Sequence, residues 1–404
     1  MILLLTLACT DKDALQDSTL DLDLDLLTSE DRPTKRGEIY GIADEASNTL
    51  LVFGGNDGPI VDQTPKATYL DETWVFEPGT GWTELDIEGP SARGRYGQGY
   101  DGEKHRAILF GGRWRKDGGS GDYDLYNDLW AFDFGTRTWE ELDDGSDGPP
   151  PRYYGATFWD AENEAFYLYG GATNADPMAI KVADDFWKWT EDDGWKEFQT
   201  SGDAPSQRTF LAETFDTKRR RLVIFGGQVG DYWSNAYNET YVLDLDGREW
   251  TELNDGDDAP STRMHGQLLY DQARDRYILF GGHTDIGDGN DLWELDPESG
   301  EWSELRMADE FTGNGLGCGG NPSDVPADYV EQDLTAPERR HRGVFALMHD
   351  NLWIYGGMHA ECSDHLDDTW RFPLDGAGDW SELIEARTGE SCLRQDADCD
   401  CLCY

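Results

Sequence analysis

The sequence predicts an all-β protein, a six-bladed β-propeller with four antiparallel strands in each blade. An apolar-apolar-aromatic run followed by two glycines occurs six times, and the first glycines stand at positions 54, 111, 170, 226, 281 and 356. After each glycine pair come two short segments in which aromatic and polar residues alternate. A long regular period is typical of solenoids and propellers, and four short strands per period favour the propeller.

Each repeat begins at an arginine. This arginine precedes the first glycine by 18 residues in five repeats and by 17 in the sixth. The mixed apolar segment after it predicts the innermost strand, and the run ending in Gly-Gly predicts the second. Segments such as "NDLWAFD" and "TWEEL" predict the third and fourth strands, with turns rich in Gly, Pro and Asp between them. The six arginines are Arg36, Arg93, Arg152, Arg208, Arg263 and Arg339.

The glycines and a recurrent tryptophan predict how the blades pack. Glycine permits a positive φ and has no Cβ to clash where neighbouring sheets crowd together. The fourth-strand tryptophan supplies the large apolar surface that packs one blade on the next. We expect blades at about 36–92, 93–151, 152–207, 208–262, 263–338 and 339–385, with the segment 306–338 an ordered excursion rather than a seventh blade. Because no strand is exchanged between the first and last blades, the ring is expected to close by face packing.

The repeated features resemble those of the kelch repeat family. The double glycine, the "ND-aromatic" segment and the downstream tryptophan carry the resemblance from Arg36 to about Leu383. The resemblance implies a kelch-type propeller, and we place it with exported bacterial proteins of this type and with the central domain of galactose oxidase. Some kelch-like propellers are enzymes, including galactose oxidase and a sialic acid epimerase. The oxidase copper site cannot be matched here residue by residue.

Composition narrows the classes of partner. The 83 acidic and 33 basic residues give a formal charge of −50. Nucleic acid binds proteins through Lys and Arg, and anionic lipid surfaces attract the same residues, so both are poor partners for this chain. A protein partner is favoured, and a glycan is the alternative.

The N-terminal segment predicts export. An apolar stretch, Ile2–Ala8, directly precedes Cys9, as in a lipoprotein signal in which the cysteine takes the lipid. A plain secretory signal is the alternative. Residues 10–35 are acidic and predict a flexible tether, so an outer-membrane lipoprotein or a periplasmic or extracellular protein is expected. The lipid would be the chain's only link to a membrane.

The loops after the Gly-Gly strands and the connections between blades should emerge on one face, which we call the loop face. Two features of this face could bind a partner. The aromatic residues Trp114, Tyr123, Tyr232 and Trp233 either anchor a ligand or fold over their own loops. The six repeat arginines, expected around the mouth of the central channel, either bind an anion or hold their own blades together.

The same loops carry residues with metal-ligating side chains. His283, His359 and His365 could hold a divalent metal, the only cofactor that the sequence suggests. Disulfides are the alternative use of the cysteines in an oxidising compartment. The candidates are Cys318, Cys362, Cys392, Cys399, Cys401 and Cys403, of which the last four lie in the C-terminal tail, residues 386–404.

No catalytic motif is present among the sequence patterns. The chain is therefore interpreted as a non-enzymatic protein-binding module at the cell surface. A carbohydrate-binding or carbohydrate-modifying propeller of the galactose oxidase or sialate epimerase kind is the alternative. A salt-tolerant surface protein with no soluble ligand is the third hypothesis.

Overall fold

The computed structural model describes residues 32–58, 68–115, 123–176, 180–229, 236–284, 287–308, 335–359, 364–376 and 378–384. Within these ranges every regular element is a β-strand, and the strands form six sheets. No helix in this part of the chain is long and apolar enough to cross a membrane. The all-β, six-bladed propeller predicted from the repeat is confirmed.

The first three blades each contain four antiparallel strands that follow chain order from the inside outward. In each strand the residues alternate between the two faces of the sheet, and both faces of the second strand are buried between neighbouring blades. The strands are β1 Gly41–Asp44, β2 Thr49–Phe53, β3 Thr73–Glu77, β4 Gly81–Leu85, β5 Gly97–Asp101, β6 Arg106–Trp114, β7 Asp124–Asp133, β8 Thr138–Asp143, β9 Ala156–Asp160, β10 Ala165–Tyr169, β11 Phe186–Thr190 and β12 Gly194–Glu197.

The last three blades follow the same order with two additions. Ser201–Gly202 lies in the range assigned to the third blade, yet it pairs in parallel with the outer strand of the fourth. Arg263–Met264 extends the fifth sheet by pairing with its second strand. The strands are β13 Ser201–Gly202, β14 Ala212–Asp216, β15 Arg221–Phe225, β16 Thr240–Asp244, β17 Glu249–Asn254, β18 Arg263–Met264, β19 Gln267–Asp271, β20 Arg276–Thr284, β21 Gly287–Leu295, β22 Trp302–Arg306, β23 Val344–Met348, β24 Asn351–His359, β25 Asp364–Pro373 and β26 Ser381–Ile384.

The hydrophobic core lies between blades, and the fourth-strand tryptophan is central to it. In every blade this indole packs on the aromatic residue that precedes Gly-Gly in the preceding blade, with ring centroids 4.5–5.7 Å apart. The tryptophan packing predicted from the sequence is thus confirmed. The pairs are Trp82 with Tyr355, Trp139 with Phe53, Trp195 with Phe110, Trp250 with Tyr169, Trp302 with Phe225 and Trp380 with Phe280.

Gly281 shows why each second strand ends in Gly-Gly. Its φ is +56°, and a Cβ built on it would stand 2.8 Å from the carbonyl oxygen of Arg340 in the next blade. The amide of the following residue, Gly282, donates to the same oxygen at 3.2 Å. Close approach of backbone to backbone across the blade interface therefore requires glycine here.

The ring closes by contacts between the first and sixth blades, without a shared strand among the described residues. Val344 of the sixth blade packs with Ile39 and Leu50 of the first in one buried cluster. The amide of Arg36 donates to the carbonyl of Leu366, and the amide of Gly357 donates back to the carbonyl of Arg36. Face packing with backbone hydrogen bonds thus joins the two ends of the ring.

The two faces of the propeller differ. On the face opposite the loop face, the turns are short and carry ion pairs between neighbouring blades. Arg220 contacts Asp160 at 2.6 Å, and Arg219 contacts Asp275 at 2.7 Å. The charged groups of this face therefore serve to join blades.

Candidate functional site

The repeat arginines do not line the channel. Each is buried and bonds within its own blade. The guanidinium of Arg93 donates to the carbonyl of Gly111 at 3.1 Å and to both oxygens of Asp128 at 2.6 and 2.9 Å. The carboxylate always comes from the second residue of the acidic pair that opens the third strand. These partners are Glu72, Asp128, Asp185, Glu239, Asp291 and Asp368.

In the sixth blade the expected arginine is off by one residue. Arg340, and not Arg339, donates to the carbonyl of Gly356 at 3.0 Å and to both oxygens of Asp368. The turn between β23 and β24 is only His349–Asp350, whereas four residues separate β1 from β2. Two missing turn residues shorten the interval from arginine to glycine from 18 to 16. Arg339 is buried as well, at 3% exposure.

The residues that meet around the channel axis stand two positions after each repeat arginine. We call these six the axial ring. All have a left-handed backbone, with φ between 56° and 62°, and none is more than 6% exposed. The backbone strain recurs in every blade and is therefore part of the architecture, but the side chain differs from blade to blade. The axial ring is Glu38, Arg95, Tyr154, Phe210, His265 and Arg342.

Neighbouring side chains of the axial ring touch all the way around it. Arg95 lies over the ring of Tyr154, with its Cζ 4.5 Å from the centroid, and Tyr154 packs edge-on against Phe210 at 4.9 Å. Phe210 contacts His265 at 4.5 Å between centroids. Arg342 donates from Nη2 to Nε2 of His265 at 2.6 Å, which requires a neutral imidazole. Burial, followed by the charge of Arg342, holds the pKa of His265 well below its usual value.

Positive charge exceeds negative charge at this centre. The carboxylate of Glu38 contacts Arg95 at 2.5 Å and Arg113 at 2.9 Å, with Arg342 at 4.0 Å, and it accepts from the hydroxyl of Tyr69 at 3.1 Å. Burial alone would raise the pKa of Glu38, but Arg113, Arg95 and Arg342 outweigh it and lower that pKa strongly. Three guanidiniums thus meet one carboxylate. The Nε atoms of Arg113 and Arg342 are buried and make no hydrogen bond within the described residues.

A second polar cluster joins the fifth and sixth blades. Nδ1 of His283 and Nδ1 of His341 lie 2.7 and 3.0 Å from the same oxygen, Oδ1 of Asp288. Burial lowers the pKa of His341 to about 4. Burial would raise the pKa of Asp288, but His341 and His283 reverse its effect and lower that pKa. The cluster therefore favours an ionised carboxylate beside a neutral His341.

The predicted set of histidines comes together only in part. His365 is completely buried, and its ring packs against Gly37 at the first blade, on the side of the sixth blade away from His283. His359 ends β24, and its side chain lies outside the described residues, as do all seven cysteines. Of the acidic residues nearby, Asp291 is bonded to Arg263. Sequence reasoning missed His341, whose position directly after the repeat arginine was its only signal.

Comparison with known proteins identifies the fold family. The model of the KLHDC2/KLHL20/DRC7 Kelch-repeats domain matches residues 15–188 and 156–315. The chain belongs to the kelch-repeat domain family.

Curated relatives share the kelch repeats at low identity. The chain is 26% identical over 63% of its length to the human Kelch domain-containing protein 10. It is 23% identical over 70% of its length to Host cell factor homolog hcf-1 of Caenorhabditis elegans, and 23% identical over 80% to Leucine-zipper-like transcriptional regulator 1 homolog of Drosophila melanogaster. The matches span 51%, 34% and 30% of these relatives, respectively.

The loop aromatics of this kelch propeller differ in exposure. Tyr123 is 4% exposed, and its ring lies under the guanidiniums of Arg113, at 3.8 Å, and Arg115, at 4.6 Å. It is therefore a platform for arginines and not an exposed anchor. Trp114 ends β6 half-buried, and Tyr232 and Trp233 lie outside the described residues.

The axial ring was also missed by sequence reasoning. Its signal is positional: the residue two places after each repeat arginine changes chemical type in every blade except for the two arginines, Arg95 and Arg342. Positions that a kelch repeat fixes are architecture, and positions that it leaves free can be used for recognition.

Proposed function

We propose that this kelch propeller is a non-catalytic protein-binding module that holds an acidic segment of its partner at the channel mouth on the loop face. The observation that carries the proposal is the excess of guanidinium groups around Glu38. A buried cation without a full complement of acceptors is costly, and a carboxylate from a partner would relieve that cost. Family membership supports a protein partner as well.

Arg113 and Arg115 connect the centre to the loop face. Arg113 contacts Glu38 at the centre, and both arginines stack on Tyr123. Because both precede the loop that follows β6, they form a cationic path between the loop and the channel. In a chain of net charge −50, such a path favours an acidic segment that most of the surface would repel.

The opposite face offers less to a partner. Its arginines are engaged in ion pairs between blades, as Arg220 and Arg219 show. The loop face and its channel mouth are therefore the surface that we assign to the partner. The glycan alternative has lost one of its proposed anchors, because Tyr123 is buried under the two arginines.

Fluorescence polarisation with two labelled peptide pools tests the proposal. One pool is rich in Glu and Asp, and the other carries Gln and Asn at the same positions. We expect the acidic pool to bind with an affinity that falls as salt rises. Arg115→Gln and Arg113→Gln should each weaken binding about tenfold or more, the effect expected for losing a hydrogen bond to a charged group.

Arg137→Gln is the matched control. Arg137 forms a half-exposed pair with Glu77 at 2.6 Å, in a turn of the opposite face, and its loss should leave binding unchanged. Arg115→Gln provides the measurement if Arg113→Gln fails to fold, because Arg113 contacts Glu38 directly. Equal binding of both pools, no binding of either, or wild-type affinity in Arg115→Gln would refute recognition of acid at the channel mouth.

We further propose that the chain is exported and carries a lipid on Cys9. The apolar segment Ile2–Ala8 directly before this cysteine supports it. Metabolic labelling with a clickable fatty acid should mark the wild-type chain and leave Cys9→Ser unlabelled. Equal labelling of the two chains, or label on neither, would refute lipidation at this residue.

A further inference from the structure

We propose that His283, Asp288 and His341 form a binding site for a first-row divalent transition-metal ion, for which zinc is the test ion. This site is separate from the acid-binding centre and does not depend on the proposed protein partner. It differs from the set suggested by the sequence, because His341 takes the place of His359 and His365.

The three side chains come from two blades. His283 and Asp288 are direct cross-strand partners in the hairpin β20–β21 of the fifth blade. His341 comes from the entry into the sixth blade, where it forms a bridge with Met358. The site therefore spans a blade interface, and a bound ion would link the two blades.

The ligand atoms already stand at distances that suit an ion. One ligand atom from each residue lies within 4.8 Å of the other two. The separations from Oδ1 of Asp288 to the two Nδ1 atoms are 2.7 and 3.0 Å. Ligands bonded to zinc at about 2.0–2.1 Å stand roughly 3 Å apart, so small movements would bring the three atoms around an ion.

The donor set has the chemistry of a transition-metal site. Two imidazoles and one carboxylate suit zinc and neighbouring first-row ions better than calcium or magnesium, which prefer oxygen ligands. Asp288 and His341 are buried, whereas the side chain of His283 is 31% exposed. Two ligands are thus held rigidly by the protein, and the third borders solvent, from which an ion could enter.

Repetition of the fold does not explain the cluster. The corresponding three positions at the other five blade interfaces hold no such set, although all of them lie in the described part of the chain. They are Asn56, Tyr69 and Gly94; Arg113, Leu125 and Tyr153; Ala172, Val182 and Thr209; Gln228, Ala236 and Met264; and Met358, His365 and Gly37. A structural role common to all blades would not select two histidines and an aspartate at one interface alone.

The test is zinc titration of the full chain by calorimetry after chelator treatment. The seven cysteines are alkylated first, because thiolates also bind zinc. We expect one zinc per chain, held by nitrogen and oxygen ligands at about 2.0–2.1 Å in X-ray absorption rather than by sulfur at about 2.3 Å. His283→Gln, Asp288→Asn and His341→Gln should each weaken binding at least about tenfold.

His105→Gln is the matched control. His105 forms a pair with Asp44 at 2.9 Å, with the same Nδ1-to-oxygen geometry but with only one histidine, so zinc binding should be unchanged. Zinc should also raise the melting temperature of the wild type and of this control, but not that of His283→Gln.

His283→Gln is decisive if substitution of the buried ligands prevents folding, because its side chain is partly exposed. Wild-type affinity in the folded His283→Gln chain would overturn the proposal. The absence of zinc binding by the alkylated wild type would overturn it as well. In either case the cluster would be a carboxylate that accepts hydrogen bonds from two imidazoles.

Discussion

The indole of Trp82 in the first blade packs on the ring of Tyr355 in the sixth, with the two centroids 4.5 Å apart. The indole nitrogen also donates to the hydroxyl of Thr369 at 3.1 Å. Residues at opposite ends of the repeat array thus meet across the interface that closes the ring. The same type of contact joins every other pair of neighbouring blades, but only this one links the ends of the array.

Trp82→Ala should open this interface. Removing a buried tryptophan from a packed core costs about 3–5 kcal/mol, and here the loss falls where the chain has no covalent continuity. The urea midpoint of unfolding measures the effect. Trp114→Ala, at a half-buried strand end, should cost less, and an equal loss in the two variants would contradict a special role of Trp82.

Gly281→Ala should destabilise the protein more than Gly79→Ala. Both glycines have positive φ, +56° and +86°, so both variants suffer backbone strain of about 1–2 kcal/mol. Only at Gly281 would the new Cβ meet the carbonyl of Arg340, whereas nothing lies within 4 Å of a Cβ at Gly79. The difference between their unfolding free energies measures the clash between blades. Equal losses would show that strain alone explains the conserved geometry of the turn.

Asp291→Asn should be strongly destabilising because it leaves Arg263 buried without its partner. Arg263 and Asp291 are 2% and 8% exposed, and they form two contacts of 2.8 Å. Breaking a buried pair from one side costs about 3–5 kcal/mol. Asp193→Asn breaks an exposed pair with Lys196 and should cost about 1 kcal/mol or less. Similar unfolding midpoints for the two variants would contradict a structural role for the repeat arginines.

The repeat made some of these relations predictable from sequence. Gly281 and Trp82 occupy positions that recur in every blade, so their roles follow from the period and from steric rules. Arg340 was displaced by one residue because the turn His349–Asp350 is two residues shorter than its counterparts, and spacing alone placed Arg339 there.

The sites were harder to predict because they depend on contacts between blades. Glu38 meets Arg342 only when the ring closes, and His341 meets Asp288 only across a blade interface. Neither pair is close in sequence, and neither repeats with the period. Side chains that differ between blades carry no periodic signal, so their meeting required the three-dimensional structure.

Glu213 should make the stability of the protein fall as pH rises. Its side chain, in β14, borders a channel cavity of about 50 Å³ beneath the axial ring, lined also by Tyr40, Gln98, His265 and Arg342. Desolvation raises the pKa of Glu213 to about 8, whereas an unfolded glutamate titrates near 4.3. The folded state therefore keeps a proton that the unfolded state loses between these values. This contribution to stability is fully present below about pH 4.3 and is lost as pH rises through about 8.

Glu213→Gln removes that titration and keeps the shape of the side chain. We expect the urea midpoint of the wild type to fall more between pH 5 and pH 9 than that of the variant, so that the variant is the more stable protein at pH 9 (pH range set by the two pKa values, about 4.3 and about 8). Glu140→Gln, at an exposed position of β8, should follow the wild type over the same range. Other titrating groups contribute equally to all three proteins, so the difference isolates Glu213. Parallel pH profiles for the wild type and Glu213→Gln would mean that the Glu213 carboxyl is already ionised in the folded channel, stabilised there by a cation such as Arg342.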